Sequence, residues 1–259
     1  MRERFNHSLG EAITSPEFHE EETDLYIEKI IADNPGIERE LTELEQNENG
    51  YENGNGVVER IEGTRKHCVD VAELMLETSK HFPDLMKESG LEEEWEAETE
   101  RWKRISVTAA LLHDVGKNEI PGYIIMKPGK PTEEEWQQLR GHATLSRDII
   151  LDQIKDSLGE NGDKEIIAEI VYRHHLKDGY PKQSEIQKNP DPSIERMIER
   201  MAAIIAILDN FDSLRSHRSY RDPEGDREFL VKYLVKKFPE WGEVINYLVD
   251  NFVERKKES

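Results

Sequence analysis

Five of the chain's nine histidines, His67, His113, His142, His174 and His175, stand at the end or edge of apolar helical ridges, as do the carboxylates Asp114 and Asp209. Imidazole and carboxylate without thiolate suit Fe, Mn, Zn or Mg rather than a structural cysteine–zinc site. Seven such ligands exceed the roughly four to six that one ion takes, so the residues predict two divalent ions joined by a carboxylate. Asp114 is the predicted bridge. Successive helical residues point about 100° apart, so His113 and Asp114 cannot both face one ion squarely from a regular helix.

These residues require helices to carry them. Ile61, Thr64, Cys68, Val71, Met75 and Thr78 keep three-and-four spacing, with His67 on the edge of that face. A stripe through Trp95, Trp102, Ile105, Ala109 and Leu112 predicts a helix that delivers His113 and Asp114 inward. Thr132 and Glu135 have capping-box spacing and open a predicted helix with Trp136, Leu139, Ala143, Ser146 and Ile150 on one face and His142 beside it. The ridge Ile166–Ile170 ends at His174, and the ridge Ile167–Val171 at His175. Asp191-Pro192 starts a further helix whose middle, MAAIIAIL, is apolar all round and runs into Asp209, with Asp212 three residues on. A carboxylate continuing the most buried helix is costly unless it is paired or bound to a cation. No alternating strand pattern occurs, and the predicted class is all-α.

The composition agrees with this reading. A net charge of -21 over 259 residues excludes a nucleic-acid polymer as main partner but admits a small anionic ligand at a locally cationic site. Cys68 is the one cysteine, and no run approaches the apolar length of a membrane span, so a cytoplasmic location is expected. Residues 1–55 read as an acidic appendage with a thin stripe through Ile37, Leu41 and Leu44 and no chemistry of their own, ending in the Gly/Asn-rich linker 47–56. Residues 56–259 form the expected catalytic domain, closed by a basic loop and two amphipathic helices around Phe229–Phe238 and Val244–Phe252.

The order His67, HDVGK (113–117), IPxxIxxKPG (120–129), His142, HH (174–175), DGYP (178–181), DxxDSL (209–214) and RSYR (218–221) resembles the HD superfamily of metal-dependent phosphohydrolases. Within it, the pattern over about residues 57–225 is similar to the HD-GYP group, which hydrolyses cyclic di-GMP. The resemblance implies an HD-domain helical bundle, with His67, His113, Asp114, His142, His174, His175 and Asp209 as metal ligands. It also implies that two ions sharing a hydroxide attack a phosphate ester in line, with Asp114 and Lys117 as catalytic residues, that Lys117 contacts the scissile phosphate, and that Lys127, Tyr180, Arg218 and Arg221 face the substrate. HHLKDGYP is three residues shorter than the group's HHExxDGxGYP and has Leu176 where the group has Glu, so the loop framing the substrate is altered. Ser219 stands for the usual Pro. Gly63 stands where many members carry a Glu, with Glu62 one place off register, so two ions rather than three are expected. The expected substrate is a small cyclic dinucleotide, cyclic di-GMP first, with a signalling protein as a further partner. The alternatives are an HD phosphohydrolase for another nucleotide or phosphate ester, or a nucleotide-binding module without turnover.

Overall fold

The computed structural model describes residues 20–49, 63–87, 95–127, 129–154, 158–159, 162–215 and 227–253, and every regular element among them is helical. The central bundle is built from α3 (Thr64–His81), α4 (Trp95–Leu112), α8 (Asp163–Arg173) and α9 (Pro192–Arg215). α3 packs on α4 and α9, and α8 packs on the same two helices. α9 lies deepest, as its apolar middle predicts: Met201, Ile204, Ile205, Ile207, Leu208 and Phe211 are buried. Trp102, Ile105 and Leu112 of α4 are buried in the same core, each such side chain contributing about 1.5–3 kcal/mol.

The N-terminal segment is less separate than its composition indicates. α1 (Glu20–Asp33) and α2 (Pro35–Asn49) place Ile27, Ile30, Ile37, Leu41 and Leu44 in the same hydrophobic core as the bundle. The stripe through Ile37, Leu41 and Leu44 is therefore a packing face. Of the linker predicted at 47–56, residues 47–49 are the last residues of α2, and the rest lies outside the described residues, as does the boundary at 55/56.

A second departure concerns the helix expected to run from Glu133 to Ile150. It is two helices, α6 (Glu133–Arg140) and α7 (His142–Asp148), broken at Gly141. The predicted capping box is present, with Thr132 accepting from the Glu135 backbone N–H and the Glu135 carboxylate accepting from that of Thr132. α6 lies outside the core: none of its residues is buried, and Trp136 is exposed, whereas Ala143 and Ser146 of α7 are buried. Between α4 and α6 lies α5 (Gly122–Ile125). α10 (Arg227–Lys237) and α11 (Gly242–Phe252) pack on each other, and α10 also packs on α9, burying Leu230, Leu234, Ile245 and Leu248.

Candidate metal centre

The predicted ligands converge from five elements. His67 comes from the first turns of α3 and Asp209 from α9, while His142 opens α7. His113, Asp114, His174 and His175 lie just past the last turns of α4 and α8. Leaving the helix there frees consecutive residues from the 100° separation, so His113 and Asp114 both turn inward. One trio is His142, His174 and His175; a second is His67, His113 and Asp209; ligand atoms within each lie within 4.8 Å of one another. Asp114 stands between them. Its Oδ1 is 3.2 Å from His142 Nε2, while its Oδ2 is 3.5 Å from His113 Nε2 and 3.8 Å from His67 Nε2. Asp209 is shared likewise, with Oδ1 3.0 Å from His67 Nε2 and Oδ2 4.0 Å from His175 Nε2.

The donor chemistry fits cations. The Nδ1–H groups of His113, His142 and His174 donate to the carbonyls of Ala110, Leu139 and Val171 at 2.7, 2.6 and 2.5 Å. Each ring therefore presents the lone pair of Nε2 inward. His142 Nε2 and His174 Nε2 are 3.3 Å apart, two lone pairs facing each other. His113 Nε2 is buried with no hydrogen-bond partner among the described residues. Buried acceptors left in this way are satisfied by a cation.

Protonation states agree. Burial lowers the His113 pKa, although Asp114 acts against it. Burial brings His142 down to about 3, and burial followed by the neighbouring His175 and His113 holds His174 well below its usual range. For Asp114, burial opposes ionisation, but Lys117 and the adjacent imidazoles outweigh it and hold the carboxyl well below the usual carboxylate range. Asp209 is also depressed against its burial, chiefly by His67. At neutral pH these imidazoles are neutral and both carboxylates ionised, the state that binds divalent metal.

The loop after His113 is clamped from two sides. Ser146 Oγ donates to the His113 carbonyl at 2.9 Å and accepts from the Gly116 N–H at 2.8 Å. A Cβ on residue 116 would lie 2.5 Å from the Ser146 nitrogen, which is why HDVGK needs its glycine. From α2, Asn47 Nδ2 donates to the carbonyls of Lys117 and Ile120 at 3.2 and 2.9 Å. Lys117 Nζ is thereby aimed at Asp114 Oδ2, with which it pairs.

A pocket of about 500 Å³ opens over the centre, lined by Asp114, Lys117, Lys127, His142, His175, Tyr180 and Asp209 among others. Lys127 pairs with Glu135 at 2.7 Å, and the Tyr180 ring lies 4.6 Å from that of His175. Arg218 and Arg221 fall outside the described residues.

The family profile described as HD domain matches residues 64–214, more than half of the chain. The chain belongs to the HD domain family. Its HD domain is of the HD-GYP-like kind, as HDVGK and DGYP imply. The chain is 34% identical over 119 residues to the cyclic di-GMP phosphodiesterase of Thermotoga maritima, covering 45% of this chain and 28% of the relative. It is 33% identical over 151 residues to the cyclic di-GMP phosphodiesterase response regulator RpfG of Xanthomonas campestris, 57% of this chain and 34% of that one. It is 35% identical over 132 residues to a 3'3'-cGAMP-specific phosphodiesterase of Vibrio cholerae, 50% of this chain and 22% of the relative. The chain thus spans about a third or less of the length of these relatives.

Several residues around the HD domain's centre are not among the predicted site residues. Asp212 Oδ2 accepts from His67 Nδ1 at 2.6 Å, fixing which ring nitrogen faces inward. Its position three residues after Asp209 is the one clue. Glu48, in the segment expected to hold no chemistry, is buried, lines the pocket and caps α3 by accepting from the Thr64 N–H at 3.0 and 2.9 Å. Its Oε2 lies 2.6 Å from where a Cβ on Gly63 would be, so it occupies the space left by that glycine. Asp178 of DGYP receives His175 Nδ1–H at 2.9 Å and Lys237 Nζ of α10 at 2.6 Å.

Proposed function

We propose that the chain is a metal-dependent phosphodiesterase for a cyclic dinucleotide, cyclic di-GMP first, with two divalent ions held by His142, His174 and His175 and by His67, His113 and Asp209, and Asp114 shared between them. The observation that carries this reading is the pair of ligand trios with Asp114 between them at the base of a pocket. When bound, divalent ions of this kind supply a water of lowered pKa and positive charge against a phosphate oxygen. The chain's own groups do the rest. The carbonyls of Ala110, Leu139 and Val171 hold the protons of three imidazoles on Nδ1, so that each ring keeps one tautomer and orientation. Lys117 is a charge partner for negative charge that develops on the phosphate, and its ammonium is oriented by Asp114. Lys127 and Tyr180, with Arg218 and Arg221 by the sequence resemblance, orient the remainder of the nucleotide. The basic side chains lining the pocket, Lys117, Lys127, Arg140 and Lys237, are matched by Glu48, Asp114, Asp178 and Asp209, so the positive charge that an anionic substrate requires would come with the divalent ions.

The relatives named for cyclic di-GMP and for 3'3'-cGAMP match at almost the same identity, so the test is a panel. Turnover of cyclic di-GMP, 3'3'-cGAMP and simple nucleotides is measured with Mn or Fe, for the parent and for His113→Ala with Asp114→Ala. Hydrolysis of a cyclic dinucleotide that the double variant loses supports the reading. Unchanged metal content and turnover in the double variant would contradict it.

A further inference from the structure

Two aromatic side chains on the pocket wall are not explained by the metal centre. Trp136 and Tyr233 both line the pocket, and they are 39% and 41% exposed. Leaving an indole and a phenol ring half in water forgoes about 25 cal/mol for each Å² of apolar surface, which packing normally recovers.

The local structure holds both rings there. None of α6 is buried, and Trp136 of the apolar stripe lies on the pocket wall instead of inside the bundle, with the Arg140 guanidinium 5.9 Å from its ring centre. On α10, Leu230 and Leu234 face the core, while Phe229, Tyr233 and Lys237 follow one another at four-residue spacing along a neighbouring stripe. Phe229 stacks on Tyr233 with ring centres 5.9 Å apart. Lys237 ends the row and ties α10 to the pocket, bonding Asp178 at 2.6 Å and Asn210 Oδ1 at 2.9 Å. Tyr180, the other tyrosine on the wall, packs against His175 and His142 and is engaged by the metal centre. α10 lies beyond the residues that the HD domain profile matches, whereas Trp136 lies within them.

We infer that Trp136 and Tyr233 are the base-contact residues of the pocket, each offering a ring face to a nucleobase while the phosphate between them is held at the metal centre. This rests on the reading of the substrate as a cyclic dinucleotide. Such a ligand has two flat purines and two phosphates. The floor of the pocket is imidazole and carboxylate, suited to phosphate through metal, and the wall carries the flat apolar surfaces. Stacking on a ring tolerates any base, so these residues set the preference for dinucleotides over small phosphodiesters rather than for guanine over adenine.

The test compares cyclic di-GMP with bis(p-nitrophenyl) phosphate, a diester without nucleobases, for the parent, Trp136→Ala, Tyr233→Ala and Tyr233→Phe. Binding of cyclic di-GMP is read in parallel by calorimetry. For each alanine variant the ratio of kcat/KM for cyclic di-GMP to that for the small diester is expected to fall at least fivefold, mainly through KM, with a matching rise in Kd. Tyr233→Phe, which keeps the ring, is expected to restore it. Both residues are exposed, and circular dichroism of each variant checks the fold. Alanine variants whose ratio and Kd stay within twofold of the parent overturn the base-contact assignment and leave the phosphodiesterase reading intact. A parent that cleaves the small diester but neither binds nor cleaves any cyclic dinucleotide overturns the substrate reading and this assignment together.

Discussion

Asp212 offers the sharpest test of how the centre is built, because it is not itself a predicted ligand but bonds one, His67. Its Oδ2 accepts His67 Nδ1–H at 2.6 Å in a buried setting, and its Oδ1 receives Arg215 Nε at 3.1 Å. In Asp212→Ala the imidazole loses the partner that fixes its tautomer, and a buried N–H is left unsatisfied at a cost of about 1–3 kcal/mol. Arg215 is part-exposed and can turn to water, so the penalty falls on His67. Loss of an outer partner of this kind typically weakens metal binding about 10–100-fold, or about 1.4–2.7 kcal/mol. Asp212→Asn keeps an acceptor but removes its charge, and its loss should be smaller than that of the alanine variant. The assay is calorimetric titration of metal-free protein with Mn2+, with circular dichroism to confirm that the helices persist. An alanine variant that binds Mn2+ within twofold of the parent would refute the idea that Asp212 holds His67 for the metal.

Three further outcomes follow from particular contacts. Glu48→Ala removes the cap of α3 from Thr64 and should cost about 1 kcal/mol, lowering the melting temperature by about 2–4 °C in a scanning calorimeter. Gly116→Ala places a Cβ 2.5 Å from the Ser146 nitrogen, so the clamp on His113 must open; a loss of about 1–3 kcal/mol in denaturant unfolding is expected, and parent-like stability would show that the clamp can shift freely. Burial, then Asp70 and Asp24, raise Glu73 to about 7. A carboxyl raised on folding stabilises most below its unfolded pKa, near 4.3 for a Glu, and that contribution is lost as pH rises through about 7. Glu73→Gln should therefore raise the melting temperature more at pH 8 than at pH 5, and an equal change at both would contradict the raised pKa.

The centre was legible in the sequence because each ligand continues a local pattern. Ile170 leads to His174 and Val171 to His175, and the stripe through Trp102, Ile105 and Leu112 leads to His113, so periodicity alone points these side chains inward. What pattern could not supply is the pairing of elements far apart in the chain. The His67–Asp212 bond joins residues 145 positions apart, and Glu48 reaches Thr64 across a segment with no regular signal. The thin stripe of Ile37, Leu41 and Leu44 shows which face of α2 is apolar, but not that it packs in the bundle core and brings Asn47 onto the Lys117 loop. Trp136 departs from the pattern: its spacing with Leu139 and Ala143 is helical, but one helix ends at Arg140 and the next starts at His142, and the Trp136 ring lies on the pocket wall.

The central claim, that two ligand trios share Asp114, is tested most directly by metal content. Anaerobically purified parent protein, analysed by inductively coupled plasma mass spectrometry, should hold two divalent ions per chain, and Asp114→Ala should lose both or bind them far more weakly. A parent that holds a single ion at saturation, or an Asp114→Ala variant that keeps two, would contradict the account.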